Sequence, residues 1–366
     1  MKNRQCERLA MTKLIANGYL RDDMMPLVEV IREELDYMRD PNTGEYLRYP
    51  KKIKGGKIRH EKVKDPDVHN ARTLQMISEL FPDRQVFVDY FRCDLSKYEH
   101  DAEEVGLVVE LTLSLERYKK KLLGILEYSN LIPVITIKHG IDMLSPSDIR
   151  EIVDQIRLIN SNRSIAIRID GLDGYADVIK EVLTAKDFLI YDFNETPIRS
   201  KPDECMKLKK MQLDAHKIAL CSPRPRDAAG KDFPNGAYAK FINNSHLDCY
   251  KSYGFDSVGD YGGLRDKLPS GGVATNGRAL ILMYIAQLNT FKSFVCDDVK
   301  KGSKGFRVVL PKVIADPELN PDGTCLALNA ATKSFHAGKE GTYALWIEYT
   351  LTRYIQQIAT WRPLFA

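Results

Sequence analysis

The stretch SIAIRID, residues 164–170, decides the fold, because Ile165, Ile167 and Ile169 share one face of an extended strand while Ala166, Arg168 and Asp170 share the other. An isoleucine face belongs against helices, which leaves Arg168 and Asp170 pointing to the interior. The same parity recurs along the chain: MPLVEV carries Glu29, QVFVDY carries Asp89, LVVEL carries Glu110 and FLIYD ends on Asp192, while LIPVITIK ends on Lys138. In a parallel barrel the C-terminal strand ends converge on one mouth, where such folds place their chemistry.

Working outward from residue 164, strands are expected over 24–31, 85–91, 106–112, 132–138, 164–170, 187–193 and 216–222, with a weaker eighth near 254–261. Helices over 67–81, 114–128, 146–160 and 173–185 separate them. The third of these has local support: Ser145 precedes Pro146, which suits a first turn, and Ile149, Ile152, Val153, Ile156 and Ile159 follow helical spacing. This alternation reads as an α/β chain, a (β/α)8 TIM-barrel-like domain over residues 1–275. A doubly wound open sheet is the structural alternative, since the eighth strand is poorly marked. No Gly-rich phosphate loop follows an early strand, which argues against a dinucleotide fold. From about 276 the alternation stops. RALILMY and FRVVLPKV read as strands, ADPELNPDG as a loop and 343–360 as a helix, so residues 276–366 are expected to form a C-terminal α+β appendage that packs on the barrel or mediates assembly.

With 44% apolar and 28% charged residues, the 366-residue chain has the balance of an ordinary soluble globular protein. Its seven cysteines are odd in number, scattered and never in a CxxC pair, which argues against a disulfide framework or structural zinc and suits a reducing cytoplasm. No apolar stretch approaches the roughly 20 residues of a spanning helix, and MKNRQCERLAMTKL lacks the apolar core of a signal peptide. A cytoplasmic protein without a membrane partner is therefore expected.

If the parity holds, one interior ring carries Glu29, Asp89, Glu110, Asp170 and Asp192, with Lys138 in it and Arg168 one layer lower. Carboxylates crowded into a partly dry cavity need a cation, shared protons or basic partners, because desolvation and mutual repulsion raise their pKa values. A divalent metal, Mg2+ or Mn2+, is one solution, since hard cations take oxygen ligands and bridge to phosphate. A buried salt-bridge network that fixes strand register is the other. Lys138 is open to a Schiff-base role or to service as a counter-ion of Glu110 or Asp170. His139, at the start of the following loop, is either a general base or simply exposed.

Net charge is only +4, but its distribution is uneven. Between Glu45 and Lys64 lie Arg48, Lys51, Lys52, Lys54, Lys57, Arg59 and Lys62, interleaved with Tyr46, Tyr49 and His60. This stretch follows the first strand and so belongs to the same face as the acidic ring. The loop after the seventh strand adds Arg224, Arg226 and Lys231, and VKKGSKGFR adds Lys300, Lys301, Lys304 and Arg307. Basic loops over acids suit a metal-assisted phosphodiester site or a nucleic-acid groove; the same loops are also suited to gripping an acidic partner, or to solvation alone.

CERLAMTKLIANGYLRDDMMPLVEV, FVDYF, GFDSVGDYGG and WIEYTLTRYIQQI together resemble the phage-associated "beta protein" family of prophages and defence-related loci. The resemblance spans most of the chain in short motifs. It implies that Glu29, Asp89, Asp260 and Tyr261 occupy motif positions, and it implies a setting in phage conflict, but no established reaction. The chain departs from the family in lacking its aromatic-Pro opening, in a longer and more basic first loop, and in carrying Thr352 and Arg353 where a histidine pair is expected. The glycines of GDYGG permit a tight bend that places Asp260 near the mouth, or a simple turn.

The expectation is thus a component of a prophage or antiviral defence system that binds nucleic acid or a nucleotide-like phosphate ligand, with metal-dependent phosphodiesterase or nuclease activity open. Glu29, Asp89, Glu110, Asp170 and Asp192 would hold metal, and Lys138, Arg168 and Asp260 would act at the reacting group. Lys51, Lys52, Lys54, Lys57, Arg59, Arg224 and Arg226 would hold phosphate. The alternative is a non-catalytic barrel that binds a phage protein, a nucleotide signal or a partner subunit, with oligomer formation open.

Overall fold

The chain contains twelve strands and eleven α-helices among its described residues. The structure is a computed structural model; it describes all residues except 53–55, 57, 66–70, 98–104, 142–143, 270–277 and 362–366. The strands are β1 (Leu27–Val30), β2 (Arg48–Lys52), β3 (Ile58–Lys62), β4 (Val86–Tyr90), β5 (Leu131–Ile137), β6 (Ala166–Ile169), β7 (Phe188–Asp192), β8 (His216–Cys221), β9 (Ala237–Tyr238), β10 (Ser257–Asp260), β11 (Leu280–Ile285) and β12 (Thr290–Val295). The helices are α1 (Gln5–Ala16), α2 (Thr73–Leu80), α3 (Gly106–Leu113), α4 (Leu115–Gly124), α5 (Pro146–Ile159), α6 (Ala176–Val182), α7 (Pro202–Lys210), α8 (His246–Cys249), α9 (Gly305–Ile314), α10 (Leu326–His336) and α11 (Tyr343–Trp361).

Seven parallel strands in the order β1-β4-β5-β6-β7-β8-β10 form the central sheet, which curls into a half-barrel rather than a closed TIM barrel. The curl has a direct witness. Arg168 on β6 reaches Glu29 on β1, three strands away, with Nη1 at 2.7 Å from Oε1. In a flat sheet those strands would be about 14 Å apart, beyond any arginine.

Strand parity is as the sequence implies. Ile165, Ile167 and Ile169 pack in the outer core beneath the helices, and Phe87, Val134, Ala166 and Ile190 fill the interior. β4, β5 and β6 are buried on both faces, as parallel strands are, with Asp89 and Arg168 the charged residues within them. Helix α5 starts where expected: the Ser145 Oγ accepts from the Asp148 amide, and the Asp148 side chain accepts in return from the Ser145 amide, with Pro146 in the first turn.

Two expected strands are helices. Residues 106–112 lie in α3, where Val108, Leu111 and Thr112 are buried on one face while Leu113 is 71% exposed. FRVVLPKV lies in α9, with Phe306, Val309, Leu310 and Val313 buried on one face. The loss of 106–112 leaves seven strands where eight were expected, so the barrel does not close.

The open seam runs between β1 and β10. Met1 to Asn3 lie along the free edge of β1, the Asn3 amide donating to the Glu29 carbonyl at 2.9 Å and the Glu29 amide to the Met1 carbonyl at 2.7 Å. Helix α11 packs over the rest, sending Leu351 and Ile355 into the interior cluster. At Gly262, φ is +59° and an added Cβ would lie 3.0 Å from Leu351 Cδ1 and from Tyr354 Cδ1, so a residue without a side chain is needed there. The C-terminal unit adds the antiparallel sheet β11-β12-β9 and the core of α9, α10 and α11 around Trp346. Its third strand, β9, comes from residues expected within the barrel.

Candidate functional site at the barrel mouth

Arg168 is fully buried at the centre of the mouth and is held by three strands at once. Its Nη1 donates to Glu29 Oε1 and to Asp89 Oδ2, each at 2.7 Å. Its Nη2 donates to Asp192 Oδ2 at 2.7 Å and to the Tyr261 hydroxyl at 2.9 Å. Tyr261 in turn donates to Glu29 Oε1 at 2.6 Å. Three of the five acids expected in the ring, Glu29, Asp89 and Asp192, therefore do converge, and Arg168 lies in their layer, bound to all three.

The ring is charge-compensated. Lys2 bridges Glu29 and Asp266 at 2.7 Å each, and Lys138 meets Asp192 Oδ2 at 2.7 Å. Arg226 approaches Asp266 at 3.4 Å. Four carboxylates, Glu29, Asp89, Asp192 and Asp266, thus face four cations, Lys2, Lys138, Arg168 and Arg226. Thr136 Oγ1 donates to Asp89 Oδ1 at 2.8 Å and the Asn194 amide to Asp192 Oδ1 at 2.8 Å. Every carboxylate oxygen of Glu29, Asp89 and Asp192 accepts at least one hydrogen bond.

Electrostatics separate the acids. Burial acts to raise Glu29, but Lys2 and Arg168 outweigh it and hold the carboxyl well below its ordinary range. Asp192 is likewise lowered against its burial by Lys138 and Arg168. Asp89 moves the other way: burial raises it, Arg168 opposes only in part, and neighbouring Glu29 adds repulsion. Arg168 is pushed well above its ordinary value, the acids and Tyr261 overcoming its burial.

The other expected ring members lie elsewhere. Glu110 is on α3, partly exposed, and pairs with Arg117 at 2.5 Å, because the segment is helical and its parity does not apply. Asp170 follows β6 but turns to His139, whose Nδ1 is 2.7 Å from Oδ1, so it sits outside the ring. Lys138 is a counter-ion, but of Asp192 rather than of Glu110 or Asp170. Asp260 belongs to a separate buried cluster: His246 Nε2 is 2.6 Å from its Oδ2, and the Tyr354 hydroxyl donates to the same atom at 2.5 Å.

Lys2, Tyr261 and Asp266 join the ring without having been placed there from the sequence. Tyr261 and Asp266 had a usable signal, since GDYGGLRD leaves β10 at the mouth. Lys2 had none, as MKNRQ carries neither period nor motif.

The acids do not suit a divalent cation. Glu29, Asp89 and Asp192 spend their oxygens on guanidinium, ammonium, hydroxyl and amide donors, and three buried cations would repel a fourth. Among the described residues no group of three or more His, Cys, Asp or Glu side chains is arranged to hold a metal.

The basic first loop forms a hairpin of β2 and β3 rising from the mouth side of β1. All of β2 is exposed, as are Ile58, Arg59 and His60 of β3. Lys51 stands directly opposite Arg59, and among the described residues only Glu61, 3.1 Å from Lys51 Nζ, offsets the pair. Tyr46 packs between Arg39 and Lys62, at 4.0 Å and 3.5 Å from its ring centre, whereas Tyr49 is 43% exposed. Lys54 and Lys57 lie outside the described residues. Arg224 lies largely buried over the Phe233 ring, and Arg226 is tied to Asp266, so neither belongs to an exposed phosphate-binding loop.

Comparison with known proteins finds no family model that matches the chain and no curated protein that matches it. No described helix is long and apolar enough to cross a membrane.

Proposed function

We propose that the chain is a non-catalytic half-barrel that binds nucleic acid through the β2–β3 hairpin. The exposed hairpin carries the reading. A two-stranded ribbon with no buried face is marginal by itself, and like charges directly opposite, as at Lys51 and Arg59, destabilise it further. Such a ribbon gains from a polyanion, and its width matches a duplex major groove. Arg48, Lys51, Lys52 and Arg59 would contact phosphates, with Tyr49 and His60 available to stack.

The compensated ring supports a structural rather than a hydrolytic part for Glu29, Asp89 and Asp192, so no metal-assisted step is assigned to them. A prophage or antiviral setting is part of the proposal and rests on the motif resemblance alone.

The test is fluorescence anisotropy with labelled duplex DNA, single-stranded DNA and RNA over a salt series. Binding to at least one of them is expected to weaken as salt rises, each lost phosphate contact reducing the log–log slope by about 0.7 to 0.9. Lys51→Glu, Lys52→Glu and Arg59→Glu combined should flatten that slope by two to three contacts. Affinity unchanged in the triple variant would refute the assignment.

A further inference from the structure

A second site lies inside the half-barrel, at the end opposite the mouth, and its origin is the composition of β10. Register sets Ser257 opposite Ile218 and Gly259 opposite Leu220, and Ile218 and Leu220 belong to the interior cluster. By parity β10 therefore turns one hydroxyl side chain and one bare backbone position inward, where β8 turns two branched apolar side chains. The sheet ends at β10, and the space left there is a cavity of about 330 Å3. That size falls in the range of roughly 300 to 1,000 Å3 that holds small ligands.

The wall of this cavity is within reach of a ligand. Leu27, Phe188, Ile218 and Ile355 line it and are only partly buried, although they are interior residues of β1, β7, β8 and α11. Phe87 and Ile190, deeper in the same wall, are 3% and 1% exposed. Apolar surface left open in this way is covered favourably by an apolar body.

Polar groups gather at one end. His216, Asp256 and Ser257 line the cavity where β8 and β10 begin. His216 Nε2 lies 2.6 Å from Ser257 Oγ, and the Lys217 amide donates to Asp256 Oδ2 at 2.8 Å. The charge at this end is one-sided. Arg21, also in the wall, is tied to Asp23, its Nε donating to Oδ1 at 2.9 Å. Asp256 is exposed at the opening, and among the described residues no cation pairs with it. Asp260, at the other end of β10, already accepts from the Tyr354 hydroxyl and the Gly262 amide and has His246 beside it. A carboxylate at the opening of an apolar cavity favours a cation and repels an anion.

We propose that this cavity binds a hydrophobic amine, its apolar body seated among Leu27, Phe188, Ile218 and Ile355 and its ammonium group donating to Asp256 and Ser257. The site is separate from the hairpin and from the Arg168 ring, and it stands whether or not the hairpin binds nucleic acid.

The probe is para-butylbenzylamine, with para-butylbenzyl alcohol and para-butylbenzoate as neutral and anionic ligands of matched shape, each titrated into the protein by isothermal calorimetry. The amine is expected to saturate with a dissociation constant below about 1 mM, the alcohol to bind about threefold more weakly and the benzoate more weakly still. Asp256→Asn keeps an oxygen for the Lys217 amide and should raise the dissociation constant of the amine to that of the alcohol. Gly259→Leu tests the cavity itself. A Cβ added there would meet Leu220 Cδ1 at 3.7 Å, an ordinary contact, so the new side chain grows into the hollow and should abolish saturable binding of the amine. If that variant does not fold, Ile218→Phe fills the same space and is read in the same way. No saturable heat with the amine, or amine affinity unaltered in the folded cavity-filling variant, would overturn the site. Alcohol or benzoate binding as tightly as the amine, or amine affinity unchanged in Asp256→Asn, would overturn the ammonium end.

Discussion

Glu29 and Asp89 both touch Arg168, yet their protons respond in opposite senses, and the reason is the count of neighbouring cations. Glu29 has Lys2 as well as Arg168, whereas among the described residues Asp89 has Arg168 as its one cation and Glu29 beside it. A carboxyl lowered on folding adds stability above its unfolded pKa, near 4.5 for Glu29, and loses it as pH falls through the folded value. Asp89, raised on folding, has the reverse sign: its contribution is present below its ordinary 3.8 and is lost as pH rises through the folded value. Urea unfolding of Glu29→Gln at neutral pH should therefore show a loss of about 3 kcal/mol that shrinks on acidification. Asp89→Asn should be the milder variant, and its stability relative to wild type should improve as pH rises. Equal losses at all pH values would contradict the assignment. Much of this residue-level arrangement is legible in the sequence, because strand parity alone brings Glu29, Asp89, Asp192, Lys138 and Arg168 together. Parity does not reveal who compensates whom, since Lys2 and Asp266 arrive from 27 and 237 residues away from Glu29 along the chain.

Elements are legible where pattern and punctuation agree. Helix α5 has its capping box, its proline and its apolar period, and it forms as expected; Ser145→Ala should lower stability by about 1 kcal/mol in thermal unfolding. The segment 106–113 has only a short apolar run, which strand and buried helix share, and its strand reading fails for that reason. FRVVLPKV is different. Its buried positions 306, 309, 310 and 313 carry helical spacing that the β-branched residues obscure. The hairpin has the weakest signal, because RYPKK and IRHEK bury nothing and so show no alternation. Its stability should accordingly depend on what it binds: amide exchange in β2 and β3 is expected to be fast in the free protein and to slow when nucleic acid is added. Strong protection without ligand would count against the hairpin as the binding element.

At the scale of the molecule, the missing strand is replaced by a helix. The free edges of β1 and β10 are the aggregation hazard of any open sheet, and Met1 to Asn3 and α11 cover that seam. Gly262→Ala should cost about 1 to 3 kcal/mol, since it combines a left-handed backbone with contact against Leu351 and Tyr354. The open seven-strand half-barrel was not legible, because the sequence marks 343–360 as a helix without saying which surface it covers. Arg168 ties β1, β4, β6 and β7 into one curved body, so removing its charge should strand Asp89 and leave Glu29 and Asp192 each with one cation fewer. The most direct measurement is the urea-unfolding free energy of Arg168→Met at neutral pH. A loss of at least about 3 to 5 kcal/mol is expected if the ring is a compensated structural hub; a folded variant of wild-type stability would contradict it.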